Sequence, residues 1–249
     1  MSFLVQKHSG IITLETRKII SNRYKTVTKA INREFWNILS DTQNSIYVGS
    51  YGRRTAINTS DLDILVLLPE SEYNRFDSLK GNGQSRLLQA VKNAIANSYP
   101  RSDIRADGQG VKISFSDGMK FEILPAFQNK DMWGNWDGTY KYPDSNMGGN
   151  WCSTNPKAEQ DAMKQKNNSS NGLLVDTCRH LRYVRDNYFS SYHLSGIVID
   201  SFVYSAMGNW QWTETGSTSS APRGNYENVL QNYLKQNSYW GTMSLYAPG

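Results

Sequence analysis

The chain has 249 residues, with 27 Lys and Arg against 22 Asp and Glu, a net charge of +5 and an isoelectric point near 9.1. Apolar residues make up 38% and aromatics 12%, enough for a sizeable core, and no run approaches the ~18 consecutive apolar residues that a membrane span needs. Two cysteines, Cys152 and Cys178, exclude a disulfide framework and a four-cysteine zinc site, and residues 1–10 lack the basic start and apolar block of a secretory signal, so the expectation is a cytoplasmic globular protein.

In chain order, Ile20, Tyr24, Val27, Ile31, Phe35 and Ile38 fall on one helical stripe. A compact strand at 45–48 follows, then a loop of small residues over 49–60 and an Ile/Leu/Val strand over 61–69 closed by Pro69. Leu87, Leu88, Val91, Ala94 and Ile95 mark a second helix that ends before Pro100. Strands at 111–115 and 119–124 flank Asp117-Gly118, a hairpin turn signal. From about 128 to 155 Trp, Gly, Asn and Pro occur with little periodicity, which reads as a long irregular connection.

Asn155-Pro156 reads as a helix cap with proline at the first helical position. Beyond it, Leu174, Cys178, Leu181, Val184 and Tyr188 form one stripe, and Leu194, Ile197, Val198, Phe202 and Val203 another. A serine-rich loop over 208–224 and a last helix over 226–237 complete the chain. The expected fold is α+β: a sheet-and-helix lobe with a long N-terminal helix over 1–155, then a helical lobe over 156–249, with an active site in the cleft between them.

Charge is distributed unevenly. Residues 1–60 carry nine Lys/Arg against three Asp/Glu, whereas the remainder is nearly balanced. A surplus of this kind fits a neighbouring polyanion, nucleotide or nucleic acid, or simply a solvated basic helix face.

The chemistry concentrates around Val48-Gly49-Ser50 and Asp61-Leu62-Asp63-Ile64. A strand places residues i and i+2 on one face about 6.6 Å apart, so Asp61 and Asp63 project together while Leu62 and Ile64 face the core. Converging carboxylates repel and are costly to desolvate, and a divalent cation between them reverses that sign. Mg²⁺ prefers carboxylate oxygens and shares its remaining positions with water and phosphates. Gly49 lets backbone approach a phosphate closely, and Ser50 offers an N–H and a hydroxyl. Glu122, an acid within the apolar strand at 119–124, is the third candidate ligand; its plainer reading is a cross-strand ion pair with Lys120 or Lys112.

The combination of Val48-Gly49-Ser50, Asp61-Leu62-Asp63 and Phe121-Glu122-Ile123-Leu124-Pro125-Ala126 resembles the polymerase-β-type nucleotidyltransferase superfamily. The run from Gly49 to Ile57 with Ser60-Asp61-Leu62-Asp63 is similar to the cyclic GMP–AMP synthase/DncV-like nucleotidyltransferases, signalling enzymes of bacterial antiphage defence and animal innate immunity. Leu181-Arg182-Tyr183 and Phe189-Ser190-Ser191-Tyr192-His193 resemble the segments that hold donor phosphates and base in the animal enzymes. The resemblance implies a polymerase-β-like fold and two Mg²⁺ ions (with Mn²⁺ as a substitute) on Asp61, Asp63 and Glu122. It further implies phosphate contacts from Gly49, Ser50, Arg182 and Ser191, and stacking of Tyr192 on the donor base. Arg182 stands where the family usually has lysine, and Arg54 where many relatives have glycine. The animal zinc insertion has no counterpart, and His8, His180 and His193 are scattered along the chain.

The leading expectation is an enzyme that condenses NTPs into a cyclic di- or oligonucleotide messenger with release of pyrophosphate. It leaves room for an activating protein partner and requires neither a membrane nor nucleic acid. The alternatives are nucleotidyl transfer to another acceptor, such as an antibiotic, a tRNA or a protein, and a catalytically quiet sensor using Lys18, Arg23, Lys25 and Lys29 to contact a nucleic-acid backbone. Trp133, Trp136, Tyr140, Tyr142 and Trp151 read as pins for the long loop, with a lid as the alternative. Base specificity, linkage, ring size and oligomeric state are not encoded in these motifs.

Overall fold

A computed structural model describes residues 5–8, 11–59, 61–213, 226–238 and 243–249. Ser60 and most of the serine-rich loop read at 208–224 lie outside them. The chain divides by internal contacts into two compact units: Ile12–Gly52 with Asn58–Pro156, and Met1–Ile11 with Arg53–Ile57 and Lys157–Gly249.

The first unit opens with α1 (Leu14–Ile31), capped by Thr13, whose hydroxyl accepts the Thr16 N–H at 3.1 Å. Ile20, Val27 and Ile31 of the apolar stripe are buried. Phe35 lies beyond the α-helix, because the chain widens into a π-turn at Asn32–Trp36 and breaks at Asn37, which is left-handed (φ 54°). The buried Asn32 side chain fixes this bend by donating to Ser40 O (2.8 Å) and Gln43 O (2.9 Å) and accepting from Asn44 (2.8 Å). These three bonds replace the backbone ladder that the turn gives up.

β1 (Ser45–Tyr47), a single helical turn α2 (Gly49–Gly52) and β2 (Leu62–Leu67) follow. The turn lies inside the segment expected to be loop. Next come α3 (Glu70–Asp77) and α4 (Gly83–Ala96), then β3 (Asp103–Asp107), β4 (Gly110–Ser114) and β5 (Lys120–Lys130). Strand order is β1-β2-β5-β4-β3, with β2 and β5 parallel and the other pairs antiparallel. The expected hairpin is present: Phe115 N–H donates to Met119 O (2.9 Å) and Gly118 N–H to Phe115 O (3.0 Å). α1 and α4 contact the sheet and each other. Leu87, Leu88, Val91 and Ile95 are buried, as are Leu62, Ile64, Val66, Phe121 and Ile123 of the strands, each removing ~1.5–3 kcal/mol of apolar exposure.

The irregular connection expected over 128–155 is instead ordered sheet. β6 (Trp136–Asp144) pairs antiparallel with the far half of β5, and β7 (Asn150–Thr154) pairs with β6. Asp131 builds the first turn, its carboxylate accepting the N–H groups of Trp133 and Asn135 at 2.9 Å each. Alternation is hidden because six of the nine β6 residues are half-buried and because Gly138 and Pro143 interrupt the pattern. The aromatics pin this sheet: Trp151 packs edge-on against Tyr73 and Phe127 and donates to Asp77 at 2.8 Å, while Tyr140 joins a small core with Val48, Leu65 and Ala126.

The second unit contains α5 (Pro156–Ser169), α6 (Leu173–Tyr188), α7 (Gly196–Ala206) and α8 (Tyr226–Asn237). Leu173, Leu174, Cys178, Val203, Met207 and Tyr226 form the centre of its core. Among the described residues no helix is long and apolar enough to cross a membrane.

Candidate active site

β1 delivers the chain to Gly49, where φ is +58°. A Cβ there would lie 1.8 Å from Asp63 Oδ2, so the carboxylate packs directly on the glycine Cα and only glycine satisfies both the dihedral and the space. Val48 N–H donates to Asp63 O (2.9 Å) and Gly52 N–H to Val48 O (3.0 Å). The turn carrying Ser50 is thereby stitched to the strand carrying Asp63.

β2 and β5 pair in the register Leu62↔Phe121, Asp63↔Glu122 and Ile64↔Ile123. Leu62, Phe121, Ile64 and Ile123 are all buried, which turns Asp63 and Glu122 together to the opposite face. Neighbouring strands lie ~4.8 Å apart, so these two carboxyl groups are neighbours. Asp61 precedes Asp63 by two residues and lines a pocket of about 360 Å³ with Glu122, Asp103, Arg105, Lys112 and Lys120. Lys112 Nζ lies 4.0 Å from Glu122 Oε1, so the cross-strand ion pair weighed from sequence is present at its outer limit between two exposed side chains. Among the described residues no three His, Cys, Asp or Glu side chains are gathered as a ready-made metal-ligand set. The chemistry of the donors, Asp61 immediately before β2, Asp63 on β2 and Glu122 on β5, with Asp61 and Glu122 lining an open pocket, suits hard divalent cations that retain water.

The remaining expected residues belong to the other unit. Arg182 is buried, its Nε and Nη2 on Asp200 Oδ1 (3.1 Å) and Oδ2 (2.7 Å). Burial and bidentate pairing commit its charge to the interior. Other arginines of α6 are likewise engaged within the protein. Arg179 Nε donates to Arg54 O (3.0 Å), and Arg185 donates to Asp186 (2.6 Å) and Leu194 O (2.7 Å). Ser191 and Tyr192 follow α6 in an exposed segment, with Tyr192 71% accessible and its N–H donated to Phe189 O (2.9 Å).

Two of the histidines that looked scattered meet: His8 Nε2 and His180 Nδ1 are 3.1 Å apart, and His8 stacks on Tyr183. Burial holds both imidazoles below their usual titration range. Cys152 and Cys178 are free thiols, and burial pushes Cys178 up. The sequence reading gave no role to Arg53 and Thr55, which lie within the Gly49–Ile57 run, and missed Asp200. The available signal was Asp200 itself, a lone acid after Ile197-Val198-Ile199 in an apolar helix.

Solved structures with this fold include the cyclic dinucleotide synthase CdnE of Elizabethkingia meningoseptica with GTP and Apcpp. It is 16% identical, with 87% of this chain and 76% of that chain covered and a TM-score of 0.60. The di-nucleotide cyclase DncV of Vibrio cholerae is 12% identical over 92% and 84% of the two chains (TM-score 0.56). CdnC of E. coli, in a complex with HORMA, is 15% identical over 93% and 71% (TM-score 0.56). Identities this low speak for a shared architecture. No protein of curated function matches the sequence. The sequence signature of the Second Messenger Oligonucleotide or Dinucleotide Synthetase domain matches residues 7–167, well over half of the chain and inclusive of Gly49, Asp61, Asp63 and Glu122, and the protein belongs to that family.

Proposed function

We propose that this chain is a metal-dependent nucleotidyltransferase that condenses NTPs into a cyclic di- or oligonucleotide with release of pyrophosphate. The observation that carries the reading is the packing of Asp63 against Gly49 and in register with Glu122, which sets a phosphate-accessible turn beside paired carboxylates.

The Gly49–Ser50 backbone and the Ser50 hydroxyl hold the donor triphosphate. A ribose 2′- or 3′-hydroxyl of the acceptor attacks the α-phosphorus in line; its O–P bond forms as the α–β bridging P–O bond breaks, the hydroxyl proton passes to solvent, and pyrophosphate leaves. Two Mg²⁺ or Mn²⁺ ions held by Asp61, Asp63 and Glu122 would supply a lowered hydroxyl pKa and charge neutralisation on the leaving group. The side chains contribute placement, not a covalent intermediate. Arg105, Lys112 and Lys120 line the same pocket as Asp61, Asp103 and Glu122; Arg105 is paired with Asp103 (3.0 Å), so Lys112 and Lys120 are the cations the pocket offers the acceptor's phosphates. Tyr192 and Ser191, exposed after α6, serve the donor base and phosphates. Arg182, the remaining expected phosphate contact, instead holds the interior of its unit.

The test is mass spectrometry of products made from all four NTPs with Mg²⁺ or Mn²⁺ and no other acceptor. Cyclic oligonucleotide and pyrophosphate are expected from the wild-type chain and neither from Asp61→Asn/Asp63→Asn. Turnover by that double variant at the wild-type rate would refute the mechanism, and product only when another acceptor is added would favour transfer to that acceptor.

A further inference from the structure

The segment directly after the Gly49–Gly52 turn behaves unlike its neighbours. Arg53–Ile57 groups with the C-terminal helices although the residues on both sides of it belong to the sheet unit. Three successive residues of this segment are held by three helices. Arg53 donates Nε to Asp200 Oδ2 of α7 (2.9 Å) and Nη1 to Glu159 Oε2 of α5 (2.8 Å). Arg54 O accepts Arg179 Nε of α6 (3.0 Å). Thr55, fully buried, donates its hydroxyl to Asp200 Oδ2 (2.7 Å).

Asp200 is the centre of this arrangement. It is 0% exposed and accepts from Arg53, Thr55 and both donors of Arg182. The enclosure around Arg182 is tight as well, since a Cβ at Gly196 would fall 2.2 Å from Arg182 Nη1. Between the two clasped residues, Arg54 sits at φ +65°, a conformation that side chains other than glycine rarely adopt. A strained residue persists only where its surroundings over-determine it, and here both flanking side chains and its own carbonyl are bonded.

We infer that Asp200 is a positioning residue for NTP binding: by clasping Arg53 and Thr55 it holds Arg54 in its left-handed turn and so sets where the adjoining Gly49–Ser50 turn presents its phosphate donors. The inference rests on the reading of that turn as the phosphate cradle. It assigns a nucleotide-affinity role to a residue some 150 positions away in sequence that touches no substrate.

The experiment uses the full chain and reads Mg²⁺-dependent binding of non-hydrolysable NTP analogues by calorimetry, kcat and KM for pyrophosphate release, and melting temperature. Thr55→Val removes one donor to Asp200 at nearly constant volume, and Thr55→Ser keeps it. The expected result is a Kd and KM raised about fivefold to tenfold in Thr55→Val with kcat within about twofold, restored by Thr55→Ser, and a larger rise in Asp200→Asn. A merely structural clasp would lower the melting temperature and leave KM alone. Wild-type affinity in Thr55→Val overturns the inference whether or not Asp200→Asn folds. Failure of the wild-type chain to bind any NTP analogue overturns the functional reading and this inference with it.

Discussion

The molecule uses carboxylates in two opposite ways. Asp200 is sealed from water and saturated by two arginines and a threonine. Asp61 and Glu122 open onto a pocket, and the cation recorded beside Glu122 is a lysine 4.0 Å away with half of its side chain in solvent. Burying an ion costs several kcal/mol, recovered only by close and complete pairing, so Asp200 is useful where it is fixed. A carboxylate at an open pocket keeps its hydration and can exchange it for a diffusible cation. The charge is the same, and the difference in solvent access separates an architectural role from a chemical one.

Neutralising one member of each set should break this comparison most sharply. Glu122→Gln is expected to abolish product formation by about 10³-fold or more, while melting changes little because the side chain is exposed. Asp200→Leu strips the buried Arg182 guanidinium of its carboxylate, leaves Arg53 with Glu159 alone, and should cost about 3–5 kcal/mol, read by chemical denaturation. If Glu122→Gln unfolds the chain, or Asp200→Leu leaves stability intact, the assignment of roles is inverted.

Gly49→Ala tests the junction at which phosphate turn and carboxylate meet. The added methyl would need the space of Asp63 Oδ2, 1.8 Å away, at a φ of +58°. The backbone strain alone costs about 1–3 kcal/mol, and displacement of either partner should lower kcat/KM roughly 100-fold. Ser50→Ala, which leaves the backbone alone, is expected to lose less. Equal losses would place the phosphate contact on the hydroxyl and not on the backbone.

Much of the sheet side of this contrast was legible in the sequence. Period-two alternation in Asp61-Leu62-Asp63-Ile64 is a local pattern, and the register with Glu122 follows once Phe121 and Ile123 must face the core. The Asp117-Gly118 hairpin and the helix beginning at Pro156 are written in adjacent residues. β6 and β7 were not legible, because half-burial on both faces leaves no alternation and Pro143 and Gly138 read as breakers. The Asp200 cluster was not legible for a different reason: its bonds span 18 to 147 positions in sequence, so no window contains both partners. The end of α1 was hidden in the same way, in a buried Asn32 whose side-chain bonds reach to Asn44.

Lys112→Gln is expected to give the smallest change and discriminates most finely between the two uses of charge. Lys112 lies 4.0 Å from Glu122 and would compete there with the cation proposed for the carboxylates. At 4.0 Å in water a unit charge pair is worth about 1 kcal/mol, less with screening. Removing the lysine should therefore lower the half-saturating Mg²⁺ for pyrophosphate release about twofold to fivefold at low ionic strength. The advantage should fade as salt approaches 0.5 M, roughly where the Debye length falls to the length of the pair. The same lysine also lines the pocket beside Arg105, so its loss should raise KM for the acceptor nucleotide. The two effects move on different axes, Mg²⁺ at saturating NTP and NTP at saturating Mg²⁺, and each can be read alone. An unchanged Mg²⁺ dependence at low salt would mean that Lys112 does not compete with the cation, and Glu122 would then resemble the saturated Asp200 more than an exchangeable ligand.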